Sequence, residues 1–157
     1  MNRMEVLKEL LESFHDEKIV VCSTGMISRE VFSIKDRERN FYVMGSMGAS
    51  LGIGIGLALN RPQEDVVVIA GDGDILMSMG TLPLMNKLHL DNLSLVIIDN
   101  NCYSSTGCQK TCSDAIDFES ICNCKVFKVD CEKSKVGRVE LSHKEITKRF
   151  YHAINGM

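Results

Sequence analysis

Two kinds of apolar segment succeed one another along the chain. In residues 4–15, Val6, Leu7, Leu10, Leu11 and Phe14 recur on one face at helical spacing. "KIVVCST" then reads as a short buried strand ending at Thr24-Gly25, "ISREVFSI" as a helix and "RNFYVMG" as a second strand. "GASLGIGIGLALN" is apolar, with glycines at 48, 52, 54 and 56. Each glycine costs up to ~1 kcal/mol inside a helix, so a helix here must gain from close approach to a sheet or a ligand. "DVVVIA" (65–70) and "LSLVIID" (93–99) are unbroken apolar runs, as expected of strands covered on both faces of a parallel sheet.

Between those runs "DILMSM" and "TLPLMNKLHL" read as helical, interrupted at Gly80, with Thr81 as a cap and Pro83 in the first turn. "SDAIDFESICN" predicts a further helix and "KVFKVD" a strand. "SHKEITKRFYHAI" predicts a last helix opened by a capping box from Ser142 to Glu145. There are no repeats, linkers or low-complexity segments. The alternation predicts one α/β domain over residues 1–157, three-layered around a mostly parallel sheet.

Composition narrows the function classes. A chain of 157 residues with 45% hydrophobic and 25% charged residues is globular. Its net charge of −3, without a basic stripe, excludes nucleic acid and anionic membrane surfaces as expected partners. The N-terminus carries acids and does not read as a signal peptide, no apolar run reaches membrane-spanning length, and a cytoplasmic location is expected. Six of the seven cysteines lie between Cys102 and Cys131. An odd number without signs of secretion predicts reduced thiols rather than a disulfide framework. The spacings Cys108-x3-Cys112 and Cys122-x-Cys124 match no common zinc or iron–sulfur pattern.

The chemistry-bearing residues close two of the strands. "GDGD" (71–74) and "DNNCY" (99–103) each follow an apolar run, and one helical crossover joins those runs, so the strands can be neighbours. In open α/β sheets ligands bind outside the carboxyl ends of the strands. Asp72 and Asn100, 28 residues apart, would face one crevice from adjacent tips. A carboxylate, an amide oxygen and backbone carbonyls form an incomplete shell for a hard cation such as magnesium, which completes its octahedron with phosphate oxygens and water. Gly71 and Gly73 would leave room for a diphosphate, with the following helix pointing its N-terminus at it. A lone "GDG" is more often a turn and "DNN" a loop; their pairing at strand ends is what is specific.

"GDGD" followed after 25 residues by "NN" resembles the cofactor motif of the thiamin diphosphate-dependent decarboxylases. The likeness runs through "CSTGMISREVFSIKDRERNFYVMGSMGASLGIGIGLAL" and "DNNCYSSTGCQKT", about residues 18–130, and is similar to the branch acting on sulfopyruvate and phosphonopyruvate. It implies a thiamin diphosphate-binding fold and, as cofactors, thiamin diphosphate and Mg2+. Asp72, Asn100 and the carbonyl of Cys102 would be the metal ligands. Gly73, Asp74 and Ser105 would lend amides to the diphosphate, the Thr24-Gly25 loop would approach it, and Gly71, Tyr103 and Ser104 would complete the cofactor contacts. In "GSMG" (45–48), Gly45 would accept a hydrogen bond from the aminopyrimidine. Ser46 would accompany it, and Met47 would be the wedge beneath the bent cofactor. Met47 and Thr106 are the expected catalytic positions; an ordinary core methionine is the plain alternative for Met47.

Further expectations accompany the resemblance. Asp74 replaces a small residue and should turn away from the diphosphate or cap the following helix. The glutamate that activates the pyrimidine belongs to another domain in this family, and Glu30 reads as a helix surface residue. The chain is therefore expected to be the beta subunit of a hetero-oligomer, with an alpha subunit carrying the pyrimidine-binding domain; alone it could self-associate. The implied reaction converts the 2-oxo acid 3-sulfopyruvate to sulfoacetaldehyde and carbon dioxide, as in coenzyme M biosynthesis. Ser104, Ser105 and Thr106, and more weakly Arg29, are candidate donors to the sulfonate. The alternatives are phosphonopyruvate as substrate, another thiamin-dependent oxidoreductase chain with iron–sulfur on the cysteines, and a non-catalytic nucleotide-binding module.

Overall fold

The computed structural model describes residues 2–132 and 134–156. Five parallel strands form its sheet: β1 (Ile19–Cys22), β2 (Asn40–Tyr42), β3 (Val66–Gly71), β4 (Leu93–Asp99) and β7 (Cys124–Lys128). Their order is β2-β1-β3-β4-β7. The chain first steps outward from β1 to β2, then returns to the other side of β1 and proceeds in one direction. The reversal lies between β1 and β3, and such a switch point opens a crevice at the strand ends.

Helices cover both faces, as the unbroken apolar strands require. On one face α1 (Arg3–Glu12) and α2 (Met26–Ile34) bring Val6, Leu7, Leu11, Ile27 and Val31 against Val20, Val67, Ile69 and Val96. On the other, α3 (Ser50–Asn60), α4 (Asp72–Leu76), α5 (Thr81–Leu88) and α6 (Phe118–Ile121) cover Val21, Val68, Leu95 and Ile97. α7 (His143–Asn155) packs at the β2 edge, with Ile146 in the first cluster and Phe150 in the second. Its capping box from Ser142 to Glu145 is present. The three-layer α/β architecture is the one expected.

The close approach expected of α3 is real at one glycine. A Cβ on Gly54 would stand 2.2 Å from a Val68 methyl, so any side chain there would lift the helix off the sheet. Gly52 and Gly56 meet nothing within 4 Å.

Three local expectations need correction, and one element was not expected. Residues 113–123 are not one helix: a 3-10 turn (Ser113–Ala115) stops at the extended Ile116, and Asp117 caps α6 through the Ser120 N–H. Thr81 does not cap α5. Gly80 occupies that position, and the Thr81 hydroxyl donates back to the Ser78 carbonyl at 2.6 Å. The first helix ends at Glu12, where Ser13 takes up the Glu9 and Leu10 carbonyls. A small antiparallel hairpin, β5 (Cys102–Tyr103) with β6 (Gln109–Lys110), has no counterpart in the apolar pattern because it is too short to bury a face.

Candidate functional site

The carboxyl ends of β1, β3 and β4 line one small, open cleft. At its base the Gly71 N–H donates to the Ser23 hydroxyl at 3.2 Å, joining the tips of β3 and β1. Gly71 pairs with Ile98 in the β3–β4 register, so Asp72 and Asn100 leave neighbouring strands at nearly one level. Both line the cleft together with Thr24, Met47, Gly71, Gly73, Asp74, Cys102, Tyr103, Ser104 and Ser105. Gly25 and Gly45 line an adjoining groove instead, and Ser46 a third hollow. Thr106 is not brought into the cleft. It sits exposed on the hairpin turn, its hydroxyl bonded locally to the Tyr103 carbonyl at 3.2 Å and to Gln109 at 2.9 Å.

Asp72 is buried, and its Oδ2 accepts the Thr111 hydroxyl at 2.5 Å. Burial pushes its carboxyl above the ordinary range and the nearby Asp99 charge adds to this; the Thr111 bond and the N–H groups of Asn100 and Gly73 oppose it. Among the described residues no cation pairs with it. Asp99, by contrast, pairs with Lys128, its registered neighbour on β7, and accepts the Ser113 hydroxyl at 2.8 Å and the Asn101 N–H at 3.0 Å. Asn100 donates its amide to Ser104, while its Oδ1 accepts the Cys102 N–H at 3.2 Å. A buried carboxylate short of positive charge, beside an amide oxygen, is a donor set suited to a hard cation.

Asp74 lines the cleft, but its carboxylate is engaged by the start of α3 rather than by its own helix. Its carboxylate accepts the Gly48 N–H at 2.8 Å and the Ser50 hydroxyl, so it secures the start of α3. The glycines divide their expected role. A Cβ at Gly71 would meet nothing within 4 Å and would stand in open space, whereas one at Gly73 would strike the Tyr103 ring at 2.5 Å. Gly73 therefore leaves room for the Tyr103 ring. α4 is only five residues long, so its dipole adds little to the site.

Two surroundings of the cleft had no recognisable signal in the sequence. Thr111 and Ser113 return from the hairpin to hold Asp72 and Asp99. Arg3, from α1, lines the cleft and is buried against Glu30, with bonds of 2.6 and 2.7 Å, and reaches the Glu132 carbonyl at 3.0 Å. Glu30 is thus fully buried and ion-paired rather than on the helix surface. The apolar face of α1 explains why: it carries Arg3 onto α2, and a buried acid survives only with such a partner.

The expectation of reduced thiols throughout is also corrected. Cys102 and Cys131 form a disulfide with a Cα–Cα separation of 6.3 Å. Asp99 and Lys128 are registered partners on β4 and β7, and each cysteine lies three residues beyond one of them. Strand adjacency, invisible in linear spacing, brings them together. The sulfur of Cys108 joins theirs, all three lying within 4.8 Å of one another.

Residues 20–133 match the family model described as the thiamine pyrophosphate enzyme, C-terminal TPP binding domain. The chain belongs to this family. Among relatives of this TPP-binding domain, sulfopyruvate decarboxylase subunit beta of Methanocaldococcus jannaschii is 48% identical over 69% of the chain and 57% of its own length. The subunit of the same name from Methanococcus maripaludis is 43% identical over 92% of the chain and 79% of its own length. The chain thus spans little more than half of the first relative. In fold, the TPP-binding domain resembles a putative thiamin diphosphate-dependent enzyme from Mycobacterium smegmatis, with a TM-score of 0.63 and 20% identity over 77% of this chain and 25% of that one. No helix among the described residues is long and apolar enough to cross a membrane.

Proposed function

We propose that this chain is the diphosphate-binding beta subunit of a cytoplasmic decarboxylase that converts 3-sulfopyruvate to sulfoacetaldehyde and carbon dioxide. The observation that carries the reading is the pairing of Asp72 and Asn100 at adjacent strand tips of a TPP-binding domain, in one cleft with an open Gly71. The likeness to the two methanogen beta subunits supports the substrate.

In this reading Asp72, Asn100 and the Cys102 carbonyl hold Mg2+. The amides of Gly73, Asp74 and Ser105 receive the diphosphate, and the Thr24-Gly25 loop approaches it. Thr111 orients Asp72 from behind, leaving its other oxygen for the metal. When bound, thiamin diphosphate supplies the electron sink for the carbon–carbon bond pair as carbon dioxide leaves. The protein's share is placement: the Gly45 carbonyl positions the pyrimidine and Met47 holds the bend.

The domain occupies the whole of residues 1–157, and its active site is completed by an alpha subunit with the pyrimidine-binding domain. Among the described residues no glutamate lines the cleft, and Glu30 is already neutralised by Arg3. Met44, Met47, Leu59, Met77 and Leu84 are exposed, which supports a covered apolar surface.

The test is Asp72→Ala and Asp72→Asn, titrated with thiamin diphosphate in the presence of Mg2+ by calorimetry, with circular dichroism as the folding control. Cofactor binding should be lost from a folded protein. Undiminished affinity in either folded variant would sink the metal assignment.

A further inference from the structure

A second groove adjoins the cofactor cleft, and Thr24 and Ser105 line both. Gly25, Gly45, Arg29 and Arg138 belong to its wall, and no acidic residue does. The hollow that holds Asp16, Glu17, Glu64 and Asp65 differs: it also holds Lys18 and Arg39, ion-paired with Asp65 and Glu64, so its charges are matched within the chain. On α2 the neighbour Glu30 is turned inward and held by Arg3, so it cannot neutralise Arg29. Among the described residues neither the Arg29 nor the Arg138 guanidinium makes a hydrogen bond or an ion pair. Arg29 is partly buried and Arg138 exposed, so an anion entering the groove meets two charged donors that no carboxylate of the groove wall neutralises.

The neutral donors beside them are also available. The Thr24 hydroxyl oxygen accepts the Gly45 N–H at 3.1 Å, which leaves its proton free to donate. The Ser105 hydroxyl has no partner among the described residues. A guanidinium is charged at every relevant pH and presents its N–H groups in a planar fork, which suits two oxygens of a tetrahedral anion.

We propose that Arg29 and Arg138, with the Thr24 and Ser105 hydroxyls, form the subsite for a tetrahedral anion, sulfonate or phosphonate, carried on C3 of the 2-oxo acid. This rests on the decarboxylase reading above and assigns that reading its specificity residues. The carboxylate that departs must stay near the reacting carbon, so recognition of the second anion belongs to a separate wall. The groove supplies that wall at the edge of the cofactor cleft. Neither arginine holds the cofactor or the metal, so their removal should leave both bound.

The experiment uses the complex reconstituted with its pyrimidine-domain chain. KM and kcat are measured for 3-sulfopyruvate, 3-phosphonopyruvate and pyruvate in wild type, Arg29→Ala, Arg138→Ala and Arg29→Lys. KM for the anion-bearing acid should rise roughly ten- to a hundredfold in each alanine variant, the range for losing a charge-assisted hydrogen bond. Lysine should recover only part of it, because a point charge cannot form the fork. Turnover of pyruvate and affinity for thiamin diphosphate should not change. The wild-type ratio between the two anionic acids identifies which is the natural class. Unchanged KM in both alanine variants, or an equal rise for pyruvate, overturns the subsite. If wild type turns over none of the three, the decarboxylase reading fails. Calorimetry of 3-sulfopropionate on the complex saturated with thiamin diphosphate and Mg2+ then decides the subsite alone. Binding that the alanine variants lose supports it, and no binding overturns it.

Discussion

The carboxylate of Asp74 accepts the backbone N–H of Gly48 at 2.8 Å, which ties the first turn of α4 to the turn that opens α3. The tie has a functional consequence. Gly48 closes the Gly45–Gly48 turn that carries Met47 to the cleft, so a residue beside the metal candidate Asp72 also sets the opposite wall. The second acceptor bond, from Ser50, makes the link rigid in two directions. Both bonds hold the Asp74 carboxylate toward α3.

Replacing Asp74 by alanine should leave the Gly48 N–H and the Ser50 hydroxyl without their acceptor and cost about 1–3 kcal/mol. The pH dependence is a separate signature. Burial holds the folded carboxyl above its ordinary value, against the pull of the hydrogen bonds from Gly48 and Ser50. The native state therefore binds more protons than the unfolded chain in the window above the ordinary carboxylate range. Stability should fall as pH rises through that window. Denaturant midpoints across mildly acidic to neutral pH should show this slope in wild type and a flatter one in Asp74→Asn. An unchanged slope would show that Asp74 is not the group responsible.

Gly71→Ala and Gly73→Ala should separate two roles that look identical in "GDG". Alanine at Gly73 places its Cβ 2.5 Å from the Tyr103 ring. The clash should cost about 1–3 kcal/mol, offset in part by up to ~1 kcal/mol of helix propensity. Thermal unfolding should register it before any ligand is added. Alanine at Gly71 meets nothing within 4 Å and should leave the melting temperature unchanged. Its effect should emerge only as weaker thiamin diphosphate binding by calorimetry. Equal melting losses in both variants would contradict this division.

What could be read from the chain differs from what could not by the distance over which residues act. Val66–Ala70 and Leu93–Ile98 announce buried parallel strands by themselves, and Asp72 and Asn100 are conspicuous because each stands just past the end of such a run. Thr111 supports Asp72 from 39 positions away through a hairpin too short to leave a pattern. Glu30 lies in the polar-looking "SREV", yet its partner Arg3 is 27 positions away on another helix. The Cys102–Cys131 pair depends on β4 and β7 being neighbours, which only the sheet order supplies. The packing of Gly73 against the Tyr103 ring is equally hidden in the sequence, because that ring comes from beyond β4.

Met47 lines the cleft with about 39% of its surface exposed, so it is not the buried packing residue that a methionine usually is. The two residues before it, Gly45 at φ 72° and Ser46 at φ 44°, both lie in the left-handed region. For a serine that conformation is uncommon and is held by its surroundings, here the Thr24 bond to Gly45 on one side and the Asp74 bond to Gly48 on the other. Such a backbone fixes where the side chain points more firmly than the side chain's own contacts do. Met47→Ala should therefore leave the fold and its melting temperature nearly unchanged. In the proposed role as wedge, kcat of the reconstituted complex should fall about tenfold or more, since small misplacements of a reacting centre carry losses of that order. Thiamin diphosphate affinity, set by the diphosphate and metal contacts, should change by no more than about threefold, roughly half of the 1.4 kcal/mol that a tenfold change represents. Steady-state turnover and calorimetry on the same preparation make the comparison. Parallel losses in turnover, affinity and melting temperature would instead assign Met47 to packing, and the left-handed turn beneath it would then have no role in holding the cofactor.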